Sequence, residues 1–81
     1  MGYTTKPHLK FREIPQKAKK KTRVWAILAK KDGDDLGEIR WHTGWRRYIF
    51  APNYETYYDA ECLAEIAAFL RKAMREWRAS K

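Results

Sequence analysis

The chain has 81 residues and a net charge of +8, from 18 basic and 10 acidic side chains, with one cysteine. So short a chain holds one small domain and one core, and the lone Cys62 excludes an internal disulfide and fits a reducing, cytoplasmic setting. No apolar run has the length of a membrane-crossing helix, and the amino terminus has no hydrophobic signal core, so neither a membrane role nor export is expected.

Met1 to His8 reads as a polar tail. Leu9 to Ile14 (LKFREI) alternates Leu9-Phe11-Glu13 with Lys10-Arg12-Ile14 and is a candidate edge strand ended by Pro15. Gln16 to Lys21 is a solvated basic linker, so residues 1–22 are expected to form a flexible basic arm and residues 23–81 the domain proper. Arg23 to Lys30 (RVWAILAK) is the clearest strand, and its near-continuous apolar run points to a central position. Lys31-Asp32-Gly33-Asp34-Asp35 then supplies the strongest turn signal in the chain.

Leu36 to Pro52 (LGEIRWHTGWRRYIFAP) reads as a β-hairpin turning at Thr43-Gly44. One arm alternates Gly37-Ile39-Trp41 with Glu38-Arg40-His42, and the other alternates Trp45-Arg47-Ile49 with Arg46-Tyr48-Phe50. Such alternation buries one sheet face and presents the other. Ala51 to Tyr58 is a loop, Asp59 an N-cap, and residues 60–78 an amphipathic helix. Its stripe of Leu63, Ile66, Ala67, Leu70, Met74 and Trp77 should lie across the sheet, while Glu61 and Arg71, Lys72, Arg75 and Arg78 complement the helix dipole at its two ends. The fold class is α+β: an antiparallel sheet of three strands, four if residues 9–14 join, packed on one C-terminal helix.

Charge is unevenly distributed. Residues 1–31 carry ten Lys/Arg against one acid, residues 32–61 three against seven, and residues 62–81 five against two. A polyanionic partner suits this asymmetry better than solubility alone. The candidate contacts are Arg40, Arg46 and Arg47 on the hairpin with Lys30, Trp45 as a stacking ring, and Lys19, Lys20, Lys21 and Arg23 along a phosphate backbone. Adjacent strand residues face opposite sides, so only one of Arg46 and Arg47 can join Arg40 on the presented face. The plainer reading of these arginines is solubility and edge protection. For Trp25, Trp41, Tyr48 and Phe50 it is core packing, while Trp45 beside Gly44 is the ring expected to stay exposed. Tyr54, Tyr57 and Tyr58, with Phe69 and Trp77 on an exposed helix flank, would suit a protein interface.

Metal and catalytic inventories are poor. His8 and His42 are far apart in sequence and Cys62 has no second cysteine, which leaves no zinc set. Asp32, Asp34 and Asp35 crowd one turn without the later ligands of a calcium loop. A Cys62–His42 nucleophile pair lacks any orienting or oxyanion signature.

The pattern carried by Trp25, Leu36-Gly37, Ile39, Trp41, Trp45-Arg46, Tyr48, Phe50 and Pro52, then Cys62-Leu63, Ile66 and Phe69, resembles a family of small phage and prophage proteins over roughly residues 10–70. The resemblance implies a bacterial or phage intracellular origin and carries no activity or functional residue with it. Three antiparallel strands followed by a helix are also similar in topology to the DNA-binding domains of some integrases and transcription factors, which lay a sheet in the major groove. The expectation is a non-enzymatic nucleic-acid-binding module without a cofactor, with DNA ahead of RNA as partner. The alternatives are a phage-encoded modulator of a host protein and a homodimeric structural subunit.

Overall fold

Among the described residues four strands and one helix follow in order: β1 (Leu9–Ile14), β2 (Val24–Ala29), β3 (Asp35–His42), β4 (Arg47–Pro52) and α1 (Ala60–Ala79). The computed structural model describes residues 9–16 and 22–80. The strands form one open antiparallel sheet in the order β1-β2-β3-β4. Residues 9–14 are therefore the fourth strand, pairing from Leu9↔Ala29 to Ile14↔Val24. This makes β2 and β3 the central strands, which is where the apolar run VWAILA belongs. No described helix is long and apolar enough to cross a membrane.

Strand alternation divides the sheet into two faces. Leu9 and Phe11, Trp25 and Ile27, Ile39 and Trp41, and Tyr48 and Phe50 lie toward α1 and form the core with Ile66 and Ala73 of the helix. Ile27 and Ile39 are completely buried at its centre. Ring contacts run from one side of the sheet to the other. Phe11 stacks on Phe69 at 4.2 Å, Phe69 meets Trp25 at 5.0 Å, Trp25 meets Tyr48 at 5.4 Å, Tyr48 meets Trp41 at 5.2 Å, and Trp41 meets Trp77 at 4.6 Å. Each such pair adds about 0.5–1.5 kcal/mol beyond area burial, which helps so small a core hold together.

That chain of rings corrects one expectation. Phe69 and Trp77 are not an exposed flank; both are partly buried against the core. The fourth strand explains Phe69, because β1 supplies Phe11 to cover it. Leu63, placed in the apolar stripe, stays about half exposed.

The helix starts as its sequence requires: the Asp59 carboxylate accepts from Cys62 N–H at 2.8 Å. The hairpin is less regular than its alternation suggests. The register passes from Ile27↔Gly37 to Leu28↔Asp35, so Leu36 is an extra residue, a β-bulge. Parity would place Leu36 with Glu38 and Arg40, but the bulge lets it pack against the core. Gly37 adopts φ +154°, and a Cβ there would sit 2.6 Å from the Ala51 carbonyl oxygen. Only glycine lets β3 and β4 approach so closely.

Candidate nucleic-acid interface

The face turned away from α1 carries Lys10, Arg12 and Ile14 from β1, Val24, Ala26 and Leu28 from β2, Asp35, Glu38, Arg40 and His42 from β3, and Arg47, Ile49 and Ala51 from β4. Among the described residues no element covers it. Cross-strand pairs fix the arrangement: Lys10↔Leu28, Arg12↔Ala26↔Glu38↔Ala51, Arg40↔Ile49 and His42↔Arg47. Aliphatic side chains thus run down the middle, with cations to either side. Four cations face two acids, Asp35, which pairs with Leu28, and Glu38, whose carboxylate meets Arg40 at 3.5 Å. Both groups of the Arg40–Glu38 pair are substantially solvated, so it is worth about 0–1 kcal/mol and leaves Arg40 free to exchange partners.

Arg40 and Arg47 share this face, and Arg46 is the one of the adjacent pair excluded from it. The reason is the turn. Residues 43–46 form a four-residue connection in which Arg46 takes φ +56° and its N–H donates to the His42 carbonyl at 2.8 Å. Arg46 then lines a concave surface with Thr22, Trp41 and Trp77 on the helix side. Trp45 is consequently a turn residue and not part of β4. Trp45 is 65% exposed, its indole stacks on His42 with centroids 4.8 Å apart, and its backbone N–H donates to His42 Nδ1 at 3.0 Å. Since His42 pairs with Arg47, these contacts put an exposed indole at the end of the face that holds Arg47.

Other expected residues are placed differently. Arg23 is on the helix side, where its Nε lies 3.8 Å from Glu13 Oε2 and its N–H donates to the Tyr48 hydroxyl at 3.1 Å. It cannot act with Arg40 and Arg47 on one surface. Lys30 is exposed in the β2–β3 turn, and Lys19, Lys20 and Lys21 lie outside the described residues. Tyr54 and Tyr57 are 91% and 87% exposed. Tyr58 instead donates its hydroxyl to the Leu36 carbonyl at 2.6 Å and packs edge-on against Phe50, so it is a structural strut.

The acidic turn and the cysteine have local roles. Asp32 Oδ1 accepts from Asp34 N–H at 3.2 Å, and Asp35 Oδ1 accepts from Gly37 N–H at 3.2 Å and from the Asn53 amide at 3.3 Å. No cluster of three or more His, Cys, Asp or Glu among the described residues could hold a metal ion. Burial pushes the Cys62 thiol above its ordinary range, and a hydrogen bond with the Asp59 carboxylate pushes it further in the same direction.

One feature was not singled out from sequence. Arg47, Arg71, Arg75 and Arg78 line a groove of about 400 Å³ between β4 and α1, floored by Tyr48, Leu70 and Met74. Among the described residues no carboxylate lines this groove or lies within ion-pair distance of these arginines. Three of the four were read as dipole-complementing residues, yet only Arg78 lies in the last turn. The sequence signal was the spacing 71, 75, 78, which places all three on one flank.

No family model, curated protein or solved structure matches this chain.

Proposed function

We propose that this protein is a small, non-enzymatic nucleic-acid-binding module that lays the helix-free face of its sheet against duplex DNA. The observation that carries the reading is the placement of Lys10, Arg12, Arg40 and Arg47 on the face opposite α1. Four strands at about 4.8 Å separate β1 from β4 by about 14 Å, close to the major-groove width of about 12 Å. Lys10 and Arg12 on one outer strand and Arg47 on the other then reach the two phosphate ridges. Arg40 stands between them over the base edges, beside Ile49, whose aliphatic surface suits thymine methyl groups. Trp45 adds a ring at one end, and Lys30 a cation beyond the end of β2.

Charge also argues against the same face joining a second copy of the chain. Two such faces would bring eight cations together with four acids between them, a net like charge. Like charges directly opposed across an interface are unfavourable.

The test is fluorescence anisotropy with a labelled duplex of random sequence over a range of salt. Arg40→Ala and Arg47→Ala should each weaken binding and make the salt dependence shallower by about 0.9 in log–log slope. Absence of binding at moderate salt, or unchanged binding by both variants, removes the reading.

A second reading has its own observation. Tyr54 and Tyr57 stand almost wholly exposed on a loop held to the start of β3, where Asn53 N–H donates to the Leu36 carbonyl at 2.9 Å and the Asn53 amide to the Asp35 carbonyl at 3.0 Å. Exposed tyrosines suit a protein contact, since each offers a large amphipathic ring with few rotatable bonds. Capture of a host protein from nuclease-treated lysate, lost in a Tyr54→Ala/Tyr57→Ala variant, would favour it.

A further inference from the structure

We propose that the groove between β4 and α1 is a second anion site, which takes the phosphate backbone of the strand running along the β4 edge. This rests on the nucleic-acid reading above and adds a contact to it. The first support is how charge is segregated around α1. At about 100° per residue, Arg71, Arg75 and Arg78 fall within an arc of about 60°. The acids Glu61, Glu65 and Glu76 fall on the other side of the apolar stripe, with Lys72 as the one cation among them. The contacts agree with this arrangement: Glu65 accepts from Leu9 N–H at 3.1 Å at the β1 side, whereas the arginines line the β4 side.

Complementing the helix dipole does not produce such a pattern. The dipole acts within the last turn and has no preference around the circumference. Arg71 and Arg75 lie further back, and they are like-charged neighbours at i,i+4, an arrangement that does not stabilise a helix. Among the described residues none of the four guanidinium groups pairs with a carboxylate, although Arg47 Nε donates to the Trp45 carbonyl at 3.4 Å, and a groove so walled is complementary to an anion. Each can fork onto two oxygens, and the apolar floor of Leu70 and Met74 keeps water from one side of them.

The second support is continuity. Arg47 belongs to the helix-free face through its pairing with His42, and it also lines the groove. A backbone contacting Arg47 from the sheet face therefore continues over the β4 edge towards the helix arginines. From Arg71 to Arg78 the helix rises about 10 Å, longer than the axial rise of about 3.4 Å per phosphate of one duplex strand, so the row of arginines spans more than one phosphate. The occupant is a run of successive phosphodiesters and not a single ion.

The experiment compares three double variants, each removing two positive charges, in duplex-binding titrations between 50 and 300 mM salt. Arg71→Gln/Arg75→Gln removes the groove, Arg12→Gln/Arg40→Gln removes the sheet face, and Lys31→Gln/Lys72→Gln is the charge-matched control away from both. Circular dichroism melts establish that all three are folded. The groove pair is expected to make the salt slope shallower by about 1.8, to weaken binding at 0.1 M salt at least tenfold, and to exceed the control pair in both. Equal losses in the groove and control pairs mean that only total charge matters, which overturns the site. Unchanged binding by the groove pair with weakened binding by the sheet-face pair overturns the groove and leaves the sheet-face reading standing. A wild-type chain that ignores the duplex but binds a labelled oligoglutamate peptide through Arg71 and Arg75 overturns both and identifies an acidic protein partner.

Discussion

Gly37→Ala tests the geometry on which the presented face depends. Gly37 sits at φ +154°, and a Cβ built there lies 2.6 Å from the Ala51 oxygen and 2.9 Å from Pro52 Cα. Both obstacles are backbone atoms of β4, so relief requires the strand itself to move. An L-residue in that backbone region costs about 1–3 kcal/mol. Relieving the overpacking adds about 1–3 kcal/mol, for about 2–6 kcal/mol together. An 81-residue domain has about 4–12 kcal/mol of stability in total. At roughly 1 kcal/mol per molar urea for this size, the urea midpoint followed by tryptophan fluorescence should fall by 2 M or more. Gly33→Ala is the control: its φ is +76°, but nothing lies within 4 Å of a Cβ there. That variant carries only the left-handed backbone cost, about 1–2 kcal/mol. If the two variants lose the same stability, β3 and β4 do not approach as described. A slipped register would then turn Arg40 from the open face to the helix side.

Phe69→Ala should cost about 3–5 kcal/mol, because Phe69 closes on Phe11 and Trp25; a loss under about 0.5 kcal/mol in a chemical melt would return it to the surface. Tyr48→Phe should cost about 1 kcal/mol by removing the hydroxyl that accepts from Arg23 N–H, and amide exchange at Arg23 should quicken; unchanged exchange would sink that hydrogen bond. The Cys62 thiol, raised first by burial and then by its hydrogen bond with Asp59, should react with a disulfide reagent more slowly than a free thiol at pH 8. Asp59→Asn keeps an N-cap residue and removes the charge, so the rate–pH profile should shift to lower pH. Because the folded thiol holds its proton to higher pH than the unfolded one, its contribution to stability is complete below the unfolded thiol's range and is lost as pH rises through the folded value.

How far the sequence reveals this fold depends on the range of the interaction. Period-two alternation in Gly37-Ile39-Trp41 and Glu38-Arg40-His42 assigned the faces of β3 correctly, and Asp59 with the helical stripe located α1. The features it missed depend on contacts between segments distant in sequence. The side of Phe69 needs β1 beneath it. The inward packing of Leu36 needs a bulge stabilised by the Asp35 carboxylate on the Gly37 N–H. Trp45 continues the alternation of Arg47 and Ile49, yet the connection spans four residues, so its ring is aimed by stacking on His42 and not by a strand. The presented arginines Arg40 and Arg47 were legible because both lie in regular strand. The groove was not, because three of its arginines come from α1 and the fourth from β4, and only tertiary packing brings them together.

The edges of the sheet bear on which surface meets a partner. An open sheet offers unpaired amides on its outer strands, and these invite strand addition. On β1 the Leu9 N–H is occupied by Glu65 Oε1 at 3.1 Å, and Lys10, Arg12 and Glu13 charge the rest of the strand. On β4 the Tyr48 N–H contacts Met74 Sδ at 3.4 Å, and Pro52, two pleats further along the same outward-facing set, has no N–H to offer. The same helix therefore covers the core face and reaches over both edges, through Glu65 on one flank and Met74 on the other. One amide on each outer strand is thus occupied by the helix that covers the core face, and among the described residues no element covers the cationic face. Its charge disfavours a second copy, and its aliphatic middle distinguishes it from a merely solvated face. The proposed duplex partner meets both conditions, because a duplex groove sets apolar surface between two rows of phosphate charge.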